Sequence, residues 1–104
     1  MSLNSGEAKI DFLPSKICLT GELLFGTIMP LYHAGTEYIN KYTQSNLEID
    51  LSQVEKSDSS GLSLLLSWIK TAKQKKINVR FTHVPQYLLN LAKVCGIEDM
   101  LVLA

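Results

Sequence analysis

Long apolar runs, clustered cysteines and an excess of either charge are all missing from this chain, and each absence removes a class of function. No uninterrupted apolar stretch approaches the ~20 residues that a membrane-crossing helix needs. The opening segment MSLNSGEAK also lacks the apolar centre of a secretory signal. Direct membrane insertion is therefore not expected, and the expected location is cytoplasmic. Of the two cysteines, Cys18 falls in a predicted strand and Cys95 near a predicted helix end. Without C-x-x-C spacing they suit reduced thiols better than a zinc or redox pair. His33 and His83 make no ligand pattern either, so neither a metal nor a cofactor is expected.

Ten basic and ten acidic side chains cancel, which leaves no global field to favour nucleic acid, and none is expected as a partner. The lysines between positions 70 and 76 are better explained as helix C-terminal charges complementing the dipole. At 104 residues the chain suits one domain that buries a core without disulfides or metal. Residues 1–8 are expected to be flexible, and Met1, Ser2 and Leu3 to be partly an expression remnant.

What is present is patterned. Ile10 and Phe12 alternate with Lys9 and Asp11; after a Pro14-Ser15 turn, Ile17 and Leu19 alternate with Lys16, Cys18 and Thr20. This predicts a hairpin whose second strand ends at Gly21. Ile28, Leu31, Tyr32, Gly35, Tyr38, Ile39 and Tyr42 share one helical face, with Thr27 as N-cap and Pro30 tolerated in the first turn. Leu47, Ile49 and Leu51 define a third strand, and Ile77, Val79 and Phe81 a fourth. Pro85 opens a last clear helix with Leu88, Leu91, Ala92 and Cys95 on its core stripe, and Gly96 stops it. Residues 97–104 fit a short strand or a final helical turn equally well. Every strand keeps one polar face, so helices are expected to cover only one side of the sheet, in contrast to a doubly wound fold. Successive strand–helix–strand units are expected to cross over right-handedly.

The chain is organised around the stretch from Leu47 to Lys76, a strand, a short loop and a helix opening on Ser57-Asp58-Ser59-Ser60-Gly61. The first turn of a helix has backbone N–H groups without intrahelical partners and carries the positive end of the macrodipole. Asp58, Ser59 or Ser60 can supply the N-cap oxygen. Gly61 either admits another backbone closely or absorbs an unusual dihedral. At 100° steps Leu62, Leu65, Leu66, Ile69, Ala72 and the stem of Lys73 form the expected core stripe. Leu64 falls nearly opposite that stripe and Trp68 on its margin. The expectation is that both are accessible and, with Asp58, Ser59, Ser60 and Gly61, form a docking surface for another protein.

Catalysis is not expected. A serine at a strand-to-helix turn suggests a nucleophile elbow, but G-x-S-x-G is absent because Ser57 stands where the first glycine would be. No base is evidently placed, and there is no Walker A sequence.

The Gly-Glu-Leu after the second strand, the strand Leu47 to Leu51, and the D-S-S-G-L opening of an apolar helix together resemble the STAS domain family, over nearly the whole chain from about Lys9. The resemblance implies an α/β fold of the anti-sigma-factor antagonist-like kind: a mixed four- to five-stranded sheet with helices mainly on one face, spanning 1–104 as a single domain. Within the family, S-D-S-S-G-L-S-L-L-L-S-W-I-K and L-A-K-V-C-G-I-E-D-M-L look most like the MlaB-type subunits of the Mla phospholipid ABC transporter. That likeness implies a non-catalytic protein that binds and regulates the transporter's ATPase subunit and sits at the inner membrane through the complex, in a system maintaining outer-membrane lipid asymmetry. The alternative it implies is an anti-sigma-factor antagonist that meets an anti-sigma factor kinase and is controlled by phosphorylation at Ser59, the first hydroxyl after Asp58.

Overall fold

A computed structural model describes residues 2–5 and 8–102. In chain order the elements are β1 (Ser2–Ser5), β2 (Ala8–Leu13), β3 (Lys16–Leu23), α1 (Ile28–Lys41), β4 (Asn46–Ser57), α2 (Ser59–Gln74), β5 (Asn78–Thr82), α3 (Gln86–Val94) and α4 (Glu98–Val102). The strands lie in the order β1-β2-β3-β4-β5. The first three pair antiparallel, whereas β3–β4 and β4–β5 pair parallel, each pair joined by the helical crossover that parallel neighbours require.

Alternation puts Ile10, Ile17, Leu19, Leu23, Leu47, Ile49, Leu51, Val79 and Phe81 on the buried face. On the other face Lys16, Cys18, Thr20, Glu48 and Asp50 are half-buried and Lys9 and Arg80 exposed, so that side stays polar. The mixed sheet with helices on one side is the architecture expected.

Four details depart from the sequence-based expectations. Ser2–Ser5, expected to be flexible, is a strand antiparallel to β2, because the outer edge of β2 offers backbone groups that an extended segment satisfies. Gly21 does not end its strand. With φ 92 it sits where β4 carries one more residue than β3, at Val54 to Lys56, and β3 continues to Leu23. A similar irregularity lies between Cys18 and Thr20, and β4 runs on to Ser57. Thr27 holds the N-cap position of α1 without capping it. Its hydroxyl donates to the Glu22 carbonyl at 2.7 Å and accepts from the Leu24 N–H at 3.0 Å, pinning the β3–α1 loop. Cys95 is exposed rather than on the core stripe of α3, which buries only Leu88 and Ala92.

The remaining core follows the pattern. α1 buries Ile28, Leu31, Gly35 and Ile39. The chain after Gly96, whose φ of 75 suits a helix stop, resolves into the short α4, with Leu101 buried. No helix among the described residues is long and apolar enough to cross a membrane.

Candidate functional site

β3 and β4 run parallel, so their C-terminal ends lie together and the loops leading into α1 and α2 emerge side by side. Asp58 stands at that meeting point with extended backbone, and it is the N-cap of α2. One carboxylate oxygen, Oδ1, accepts from the Ser60 N–H at 2.8 Å, which satisfies an otherwise unpartnered donor of the first turn. The other, Oδ2, accepts from the Phe25 N–H at 3.1 Å, across to the β3–α1 loop. The Asp58 N–H donates to the Leu23 carbonyl at 3.1 Å, so backbone and side chain both tie the two loops together. Partial burial opposes ionisation of Asp58, but the hydrogen bonds from Phe25 and Ser60 outweigh it and hold its carboxyl below the ordinary range.

Gly61 is the second fixed point. A Cβ there would lie 2.0 Å from Ser57 Oγ, 2.9 Å from Leu23 Cβ and 3.1 Å from the Leu23 carbonyl oxygen. Of the two roles open to this glycine, the structure gives it close approach: α2 starts against the end of β3. Ser59 is exposed at the opening of α2, and Ser60 is half-buried.

Leu64 and Trp68 do not belong to an accessible surface. Leu64 is 3% exposed and Trp68 fully buried. α2 packs on the sheet and also alongside α1, so its buried arc is wider than one stripe and takes in Gly61, Leu62, Leu64, Leu65, Trp68, Ile69 and Ala72. At 100° per residue that arc is centred roughly 60° from the expected one. Lys73 is exposed and Leu66 half-buried as a result.

In their place two other apolar side chains stand in solvent at this end of the molecule. Phe25, in the loop that Asp58 holds, is 82% exposed, and Met29, in the first turn of α1, is 53% exposed. Both were legible in principle: Phe25 precedes a glycine outside any periodic segment, and Met29 lies well off the Ile28–Leu31 stripe. The site is therefore a corner with an exposed serine hydroxyl at a positive helix end, a capping carboxylate and two exposed apolar side chains. Such a corner can contact another protein.

The structure does pair a histidine with a carboxylate, which the sequence did not reveal. His83 Nδ1 lies 3.2 Å from Asp50 Oδ1, Lys16 Nζ lies 3.4 Å from Asp50 Oδ2, and the Ser52 N–H donates to Asp50 Oδ1 at 2.9 Å. No hydrogen bond among the described residues joins His83 to Ser59. The imidazole belongs to a polar cluster around Asp50 on β4, away from the junction.

A family model described as "Mlab, STAS domain" matches residues 8–103. The intermembrane phospholipid transport system binding protein MlaB of Escherichia coli (strain K12) is 36% identical over 78 residues, covering 75% of this chain and 76% of that protein. A chain of the Acinetobacter MlaFEDB complex, in its ATP-bound Vtrans2 conformation, superposes with a TM-score of 0.76 at 28% identity, covering 86% of this chain and 94% of that one. The anti-sigma factor antagonist SpoIIAA in its unphosphorylated form shares the fold, with a TM-score of 0.66 at 11% identity, covering 83% of this chain and 81% of that one.

Proposed function

From its membership of the MlaB-type STAS-domain family, to which this chain belongs, we propose that it is the non-catalytic STAS subunit of an intermembrane phospholipid transport system. It binds the system's ATPase subunit and supports that subunit's activity, and it is held at the inner membrane by the complex. The observation that carries this reading is the 0.76 superposition on a chain of the MlaFEDB complex at 28% identity. The junction of Asp58, Ser59, Ser60 and Gly61, with Phe25 and Met29 exposed beside it, supplies the docking face. A partner covers the two apolar side chains and meets the polar helix end beside them.

The test is co-purification of the full chain with the ATPase subunit encoded for the same transporter, followed by ATP turnover with and without it. Ser59→Asp adds a negative charge next to Asp58 and should weaken capture while leaving the fold intact, since Ser59 is exposed. Capture of the substituted chain at parental strength would move the docking face elsewhere.

The second reading is an anti-sigma-factor antagonist controlled by phosphorylation at Ser59, and the exposure of that hydroxyl favours it. Binding to a serine kinase, with transfer of phosphate to Ser59 and no binding to the ATPase subunit, would establish it in place of the first.

A further inference from the structure

We propose that Asp58 is a positioning residue that presents Phe25 to the partner: its carboxylate latches the β3–α1 loop to the start of α2. This rests on the docking reading above and adds to it the residue that shapes the contact. The loop from Leu24 to Thr27 has few other attachments. Thr27 closes it on itself through the Glu22 carbonyl and the Leu24 N–H, and among the described residues the one side-chain bond joining it to the start of α2 is that from the Phe25 N–H to Oδ2 of the N-cap Asp58. Gly26 meets nothing within 4 Å of where a Cβ would be, so packing does not fix the loop there. An aromatic side chain 82% exposed on such a loop is a useful anchor only if its backbone is held, because ordering it on binding costs affinity. A hydrogen bond to an ionised carboxylate is the stronger kind, and Asp58 gives one oxygen to the first turn of α2 and the other to the β3–α1 loop.

Capping and latching can be separated chemically. In Asp58→Asn the amide oxygen still accepts from Ser60, and asparagine caps helices as well as aspartate does. The group then facing the Phe25 N–H is an NH2 donor, and the latch is lost. Asp58→Ser keeps a capping oxygen and has no second acceptor at all.

The experiment measures amide hydrogen exchange at Phe25 and affinity for the purified ATPase subunit of the same transporter, in the parent, Asp58→Asn, Asp58→Ser, Phe25→Ala and the two double variants. Phe25 exchange should accelerate about tenfold or more in both Asp58 variants while α2 stays protected. Affinity should fall about five- to tenfold in each, and Phe25→Ala should cost much less in the Asp58→Asn background than in the parent. Unchanged exchange at Phe25 overturns the latch. Faster exchange with additive affinity losses overturns the positioning role. If Phe25→Ala alone binds like the parent, the docking face itself is misplaced and the positioning role falls with it. If Phe25→Ala binds weakly but both Asp58 variants bind like the parent, the docking face stands and only the latch falls.

Discussion

The indole of Trp68 fills the space where a side chain on Gly35 would stand: a Cβ built there comes 2.2 Å from Trp68 Cζ2 and 2.6 Å from Cε2. Replacing an exposed mid-helix glycine by alanine ordinarily stabilises a helix by about 1 kcal/mol. Here the sign reverses, because Trp68 is fully buried and has nowhere to move. Gly35→Ala should lower the unfolding free energy by about 1 to 2 kcal/mol, measured by urea titration followed by far-UV circular dichroism. An increase in stability would mean that α1 and α2 are farther apart than described.

Leu64 follows from the same seam. Its burial predicts that Leu64→Ala costs about 2 to 5 kcal/mol, whereas Lys73→Ala, at an exposed position, should stay within about 0.5 kcal/mol of the parent. Calorimetric melting of the two variants checks this, and similar melting temperatures would put Leu64 at the surface.

Gly61→Ala tests the close approach of α2 to β3. The Ser57 hydroxyl can rotate away, but the Leu23 Cβ and carbonyl belong to a paired strand and cannot. The variant should lose about 1 to 3 kcal/mol by overpacking and should also bind the ATPase subunit less well, because the shift displaces the Asp58 cap. Parental stability would show that the helix start yields without cost.

Acid should act through Asp58 and Asp50. Burial opposes ionisation of each, yet hydrogen bonds to both, with Lys16 beside Asp50, leave their folded pKa values lowered. A carboxyl that binds its proton more weakly when folded adds stability above its unfolded pKa of about 3.9, and this is lost as the pH falls through the lowered folded value. Stability of the parent should therefore decline below about pH 5. Asp58→Asn should show a shallower decline over the same range in urea midpoints measured at stepped pH. Parallel declines would mean that folding leaves the Asp58 carboxyl unperturbed.

Strand alternation made Ile10, Ile17, Leu19, Ile49 and Val79 legible as one buried face, and with it a sheet covered on one side. The D-S-S-G opening of α2 was legible as a capped helix start, and Asp58 as one of three candidate caps. The orientation of α2 was not. A single stripe is a sound guess for a helix lying on a sheet, but a helix that also packs beside another buries a wider arc, and only the position of α1 says on which side it widens. That is why Leu64 and Trp68 read as surface. β1 and the continuation of β4 to Ser57 were hidden for a different reason: edge pairing and bulged register depend on backbone neighbours and leave no period in the sequence.

Trp68 is the only tryptophan in the chain, and among the described residues neither its buried indole N–H nor the buried Thr36 hydroxyl on α1 has a hydrogen-bond partner. Fluorescence excited at the indole band therefore originates entirely within the α1–α2 seam, where the ring is shut off from solvent. Emission should be blue-shifted in the folded chain and move to the red only when that seam opens. The proposed docking corner around Phe25 and Ser59 contains no tryptophan, so a tryptophan-free partner bound there would leave the signal unaltered. A spectral shift on complex formation would then report that binding at the corner moves one helix against the other.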